Sequence, residues 1–256
     1  MIGIDFPIKP EWIYDVHQLW EPGQAISDLV NKGINQTMQE LGGEKTRRNT
    51  LSIIIRVFVG IEGGGNNRQT LIHDLWPSYS KLFSVSSMLP AYLVQIISTS
   101  EVAKEATTFL NRRYVPGTSF KSEELRGYLI GKYGERKVVL NAGSAFLKTL
   151  QHFSVLDPGN KWGEYTFRQR VKPSKDIFPL IVWAIWNKSP SPQINVEKFM
   201  DQVELSFLDM DDWENYWRAF QLNLWVLSKR VGAYDATLKN PETLAFQEQL
   251  FGLLAR

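Results

Sequence analysis

Between Phe120 and Val171, helix, turn and strand signals follow one another in an order that few folds accommodate. Ser122, with Glu123 and Glu124 in the first turn, opens a helix whose buried stripe is Leu125, Leu129 and Ile130, and which ends near Tyr133-Gly134. Glu135-Arg136-Lys137 makes a tight connection, and a second helix runs through Val139, Ala142, Phe146, Leu147 and Leu150 to Phe153. Two short helices meeting at a glycine turn form a helix-turn-helix arrangement. Val155-Leu156 then predicts a short strand and Asp157-Pro158-Gly159-Asn160 a strong turn. From Glu164 to Val171, Tyr165, Phe167, Gln169 and Val171 alternate with Glu164, Thr166, Arg168 and Arg170, the period of a strand with one apolar face. Helix, helix, strand, turn and strand in this order predict a winged helix-turn-helix.

The rest of the chain reads as helical. Trp12 to Leu19 and Ala25 to Leu41 predict two helices around Pro22-Gly23, with Gly42-Gly43 as the stop. Lys45 to Ile61 predicts a third, favoured on length over a buried strand at Ile53-Ile54-Ile55 and Val57-Phe58-Val59, Arg68 to Leu75 a fourth, and Met88 to Tyr114 a long helical region broken at Ser98-Thr99-Ser100. Ser78 to Ser87 reads as polar turn. Ile177 to Trp186 is a helix or a buried strand. Ser189-Pro190-Ser191-Pro192 is a linker or sharp turn, Val196 to Phe207 restarts helix, and an aromatic helix runs from Trp213 through Tyr216, Trp217, Phe220 and Leu224 to Leu227. The expected fold is therefore predominantly α, with a central winged helix-turn-helix and a small β-wing. It divides into an N-terminal helical region (1–86), the winged helix-turn-helix domain (87–176) and a C-terminal helical region (177–256).

Composition narrows the setting. With 256 residues, 43% of them hydrophobic, and with nine Trp, nine Tyr and fourteen Phe, the chain can bury an aromatic-rich core. No Cys is present, so disulfides, thiolate metal sites and cysteine nucleophiles are excluded and a cytoplasmic location is expected. Asp5, Pro7, Lys9, Pro10, Glu11 and Asp15 interrupt the first twenty residues, so no secretory signal is expected. The most apolar stretches, Ile53 to Ile61, Leu89 to Ile97 and Ile177 to Trp186, fall well short of the ~20 residues a bilayer requires and read as buried helices.

Charge is unevenly spread. The net charge is only +2, but residues 101–175 carry 14 Lys and Arg against 7 Asp and Glu, while residues 201–256 carry 5 against 9. A basic segment coinciding with a winged-helix pattern points to nucleic acid, although a solvated basic face has the same composition. In such a domain the second helix turns its exposed face to the major groove and the wing reaches phosphates or the adjoining minor groove. The candidate contacts are Arg136, Lys137, Asn141, Ser144, Lys148 and Gln151 on the helix, with Lys161, Arg168, Arg170 and Lys172 on the wing. His152 lies off the same apolar stripe.

The run YGERKVVLNAGSAFLKTLQHFSVL (133–156) with its wing, preceded by a helical half that contains TRRNTLSIIIR (46–56), resembles the BrxA family of the BREX phage-defence system. That resemblance implies a mostly helical, non-enzymatic protein that binds double-stranded DNA beside other proteins of a defence assembly.

Enzyme signatures are sparse, and no catalytic residue, metal site or cofactor is expected. His17, His73 and His152 lack the spacing of a metal-binding helix pair. The loop Gly60 to Asn67 lacks the Gly-Lys-Ser/Thr ending of a phosphate-binding loop, and its glycines do not fit the dinucleotide fingerprint. Asp209, Asp211, Asp212 and Glu214 could hold a divalent cation, but they fit a helix N-terminus better. Trp183, Trp186, Trp213, Trp217 and Trp225 are spaced for packing or a partner-facing surface rather than for base stacking. Two other functions remain open on sequence: a transcriptional regulator, and a protein–protein adaptor that docks through its winged helix and aromatic C-terminal helices.

Overall fold

The computed structural model describes residues 4–59, 74–230 and 232–254, with the side chains of residues 243 and 244 left aside. The expected loop at 60–67, His73 and nearly all of the helix expected at 68–75 lie outside the described residues.

The N-terminal part is built on short amphipathic helices: α1 (Pro10–Leu19), α2 (Ile26–Gln36), α3 (Glu44–Ile54), α4 (Leu75–Leu82) and α5 (Val85–Thr99). Pro10 opens α1, where its missing N–H is an orphan position in any case, and Trp12, Ile13, Val16 and His17 form the buried face. The α3 helix widens into a π-helical turn at Ile55–Val59. Gln95, buried on α5, donates to the Val57 carbonyl of that turn at 2.8 Å. The sequence 78–87, expected as polar turn, is instead the end of α4 and the start of α5, because Tyr79 and Ser80 lie on a buried face and the Ser84 hydroxyl caps α5.

The central part runs α6 (Glu101–Arg113), β1 (Ser119–Lys121), α7 (Ser122–Tyr133), α8 (Lys137–His152), β2 (Leu156–Pro158) and β3 (Glu164–Phe167). The three strands form an antiparallel sheet in the order β1-β3-β2, with Phe120 opposite Tyr165 and Leu156 opposite Phe167. The break between α5 and α6 falls where the serines predict it: Ser100 accepts a hydrogen bond from the Ala103 N–H at 3.1 Å.

The C-terminal part departs further from expectation. It contains α9 (Phe178–Trp186), β4 (Gln193–Asn195), α10 (Val196–Met200), α11 (Trp213–Ala219), β5 (Trp225–Arg230), β6 (Ala233–Leu238) and α12 (Thr243–Leu254). A second antiparallel sheet in the order β4-β6-β5 stands where helix alone was expected. The helix expected over 196–207 stops at Met200 and resumes only as a 3-10 turn at Val203–Leu205. The aromatic helix expected through Leu227 ends at Ala219, because Leu222 takes a left-handed conformation (φ 71°) and turns the chain into β5.

One hydrophobic core runs through all of this, from Ile4 to Leu250. Its centre is α5 packed on α9, two helices buried on nearly every side. The fold is thus predominantly α with two small sheets, and no helix among the described residues is long and apolar enough to cross a membrane.

The core also encloses a polar triad. His17, Ser80 and Tyr92 are all fully buried, with His17 Nδ1 2.7 Å and Tyr92 Oη 2.6 Å from Ser80 Oγ. The Ser80 hydroxyl donates to the Trp76 carbonyl, so the imidazole is the donor to Ser80, and its buried Nε2 has no hydrogen-bond partner. Burial, reinforced by Lys81, pushes the His17 pKa from 6.5 down to about 3.

Two outcomes follow from these contacts. Below pH 6.5 the unfolded chain binds a proton at His17 that the folded chain refuses, so stability should fall as the pH drops toward 3, by at most about 1.4 kcal/mol per pH unit from this group. His17→Phe, which leaves the Ser80–Tyr92 bond in place, should flatten the pH dependence of urea denaturation by one proton, and an unchanged slope contradicts the assignment. Ser100→Ala should cost about 1 kcal/mol in the same assay and Ser100→Gly only a few tenths.

Candidate nucleic-acid interface

The α7–α8 pair is fixed at both ends by local sequence. Glu124 accepts from the Lys121 N–H at 3.0 Å and from the Tyr114 hydroxyl at 2.7 Å, which ties the start of α7 to the end of α6. These two hydrogen bonds hold the Glu124 carboxyl below the usual carboxylate range. Gly134 (φ 75°) ends α7, and α8 starts at Lys137.

Helix α8 presents two unlike faces. Val139, Ala142, Phe146, Leu147 and Leu150 are buried, and Thr149, also buried, accepts from the Ile8 N–H at 3.0 Å, so the N-terminal segment is latched to the back of this helix. Lys137, Asn141, Ser144 and Lys148 lie on the opposite stripe and are exposed, with Gln151 half-buried at its end. Arg136 is exposed just before the helix.

The β2–β3 turn comes down beside that stripe. Ser144, Lys148 and Gln151 share an open groove of about 560 Å³ with Lys161 and Trp162. The groove continues between α7 and α8 past Arg126 and Leu129, again with Trp162 at its edge. Four of the expected contact residues are thereby brought together from helix and hairpin.

The remaining residues expected on a wing sit elsewhere. The strand expected to reach Val171 ends at Phe167. Past Arg168, whose N–H still donates to Val155, the chain leaves the sheet, and Val171 exchanges hydrogen bonds with Phe207 and Asp209 instead. Arg168 and Arg170 remain exposed and line one shallow depression with Asn111, Tyr114 and Ser206, as neighbours but not on a common strand. Arg168 Nε also lies 3.5 Å from Asp157 on β2. Lys172 is bound to Asp212 at 3.2 Å, a hydrogen bond and charge that raise its pKa. Arg136, Lys137 and Asn141 are exposed but line neither depression.

Two residues of the groove were not singled out from the sequence, Trp162 and Arg126. Trp162 carried a signal, since an aromatic inside the turn sequence Asp157 to Gly163 has no strand or helix face on which to pack. Arg126 carried none beyond lying outside the apolar stripe of α7.

Other polar clusters are occupied or closed. Ser80 and His17 are a serine–histidine pair at hydrogen-bond distance, but both are sealed in the core. In the acidic cluster Asp209 accepts from the Asp211 N–H, Asp212 pairs with Lys172 and Glu214 with Arg218. Among the described residues no three His, Asp or Glu gather to hold a metal ion. Trp183, Trp186, Trp217 and Trp225 are core residues, in contact with one another and with Phe178 and Phe246.

No protein-family model matches the chain, and no curated protein matches it in sequence. The solved structure of SspB is similar to it, with a TM-score of 0.61 over 98% of this chain and 86% of that one, at 10% sequence identity. At that identity the likeness is one of fold alone.

Proposed function

We propose that this protein is a non-catalytic, cytoplasmic component of a bacterial phage-defence assembly of BREX type, and that it binds double-stranded DNA through a winged helix-turn-helix spanning α6 to β3. The observation that carries the DNA reading is the groove in which Ser144, Lys148 and Gln151 of α8 meet Lys161 of the β2–β3 turn. The order α6-β1-α7-α8-β2-β3, with β1 pairing the outer side of the hairpin, supports the winged-helix reading. In that reading α8 is the recognition helix and the hairpin the wing. The excess of basic residues in 101–175 supports a polyanionic partner. The defence role rests on the resemblance of residues 133–156 and 46–56 to BrxA.

Within this reading the lysines and arginines position the duplex, while Asn141, Ser144 and Gln151 are the groups able to reach base edges. Arg168 and Arg170, in their separate depression, would touch the backbone beyond the groove, with Asp157 moderating the charge of Arg168.

The test is the salt dependence of binding to duplexes of unrelated sequence. Lys148→Ala with Lys161→Ala should weaken binding to all of them about equally and reduce the slope of log K against log salt by about 2, one counterion per lost phosphate contact. Arg168→Ala with Arg170→Ala should do the same. Neither pair should shift stability by more than ~0.5 kcal/mol, since all four side chains are exposed. Slopes unchanged in both double variants overturn the assignment. A single strongly preferred genomic site would instead identify a transcriptional regulator, and stable protein partners without DNA binding at low salt an adaptor.

A further inference from the structure

The indole of Trp162 is fully exposed, whereas the other tryptophans are buried or, for Trp213, half-buried. The turn that carries it is held on three sides. The Gly159 N–H donates to the Glu164 carbonyl at 2.7 Å, the Glu164 N–H to the Lys161 carbonyl at 3.1 Å, and the Ser122 N–H at the start of α7 to the Gly163 carbonyl at 2.7 Å. A Cβ on Gly159 would lie 2.5 Å from Glu164 Cβ and 3.0 Å from its carbonyl carbon, so the two sides of the turn are in close contact. Gly163 (φ 79°) takes a conformation that other residues resist. The backbone thus presents the ring outward from a fixed base.

The whole ring of Trp162 is open to a partner, and the surroundings indicate which kind it suits. Lys161 precedes the ring in sequence, Lys148 and Gln151 line the groove with it, and Arg126 lines the continuation between α7 and α8; the carboxylates at hand are Glu164, Glu123 and Glu135, the last 3.8 Å from Arg126. A flat apolar ring flanked by ammonium and amide groups suits a nucleobase with its phosphate, whose π-face stacks whatever the sequence. Inserting a single ring into an intact base step costs unstacking comparable to what the new stack returns. Where the step is already open, only the gain remains.

We propose that Trp162 stacks on a base exposed at an opening in the duplex, so that the preferred ligand is double-stranded DNA containing an unpaired or nicked step rather than continuous duplex. This inference rests on the DNA-binding reading above and names the substrate class of the same groove.

The experiment compares the full chain with Trp162→Ala and Trp162→Phe by fluorescence anisotropy, on a continuous duplex and on the same duplex with one unpaired base or one nick. The parent should bind the opened duplexes more tightly. Trp162→Ala should lose roughly tenfold to hundredfold on those and little on the continuous duplex. Its salt slope should stay unchanged because the ring carries no charge, and Trp162→Phe should recover most of the loss. A parent that binds both DNA forms equally, or an alanine variant that weakens both equally or neither, overturns the stacking role while leaving the DNA-binding reading in place. Absence of DNA binding even at low salt overturns both.

Discussion

The packing of α5 against α9 is the contact on which the other elements depend. Both helices are apolar nearly all round, so neither can stand at a surface, and every side of the pair has to be covered by something else. The N-terminal helices α1 and α4 and the π-helical turn cover α5 from one direction; α6 and the 3-10 turn at Val203–Leu205 cover it from another. Trp183 and Trp186 of α9 meet Phe246 of α12, and Phe178 meets Tyr216 and Trp217 of α11. The three parts of the chain are therefore layers around one pair of helices.

Helix α8 shows how that arrangement produces a site. Its apolar stripe belongs to the core and its back is latched by the N-terminal segment through Thr149, which leaves one polar stripe free beside the hairpin. The ring of Trp12 lies near that of His152 (6.4 Å between centroids), so the N-terminal helices also brace the last turn of α8. A rigid helix with one accessible face and a fixed turn alongside is a better platform for an extended ligand than a set of mobile loops.

How much of this was legible in the sequence depended on how local the determinants were. The two faces of α8, the helix break at Ser98-Thr99-Ser100 and the buried character of Leu89 to Ile97 follow from periodicity and hydrogen-bonding chemistry within a few residues, and they stand in the structure as read. The second sheet was not legible. Trp213, Tyr216, Trp217, Phe220, Leu224 and Leu227 keep helical spacing, yet the chain reverses at Leu222, and Trp225 donates to the Trp217 carbonyl at 2.7 Å from a strand. What decides between helix and hairpin there is pairing with β6 immediately downstream and burial of Trp225 against Phe178, a residue far off in sequence. The strand through Val171 failed for the same reason, since alternation continued past the point where a partner strand existed. The groove was half legible: its α8 side follows from spacing, but that Lys161 rather than Arg168 faces it is set by the path of the turn.

The ion pairs change what the basic segment offers to its surroundings. Lys104 is bound to the buried Glu204, Lys132 to Glu105, Arg126 lies near Glu135, Arg168 near Asp157, and Lys172 pairs with Asp212. Two of those carboxylates, Glu204 and Asp212, come from the acidic C-terminal third, which acts as a resident counterion for the middle of the chain. The field outside the protein is accordingly weaker and more localised than the composition of residues 101–175 suggests. Any polyanion approaching this surface competes with carboxylates already in place, and the exposed cations of the segment outside those ion pairs are divided between α8 with the hairpin tip (Arg136, Lys137, Lys148, Lys161) and Arg112, Arg113, Lys121, Arg170 and Lys175.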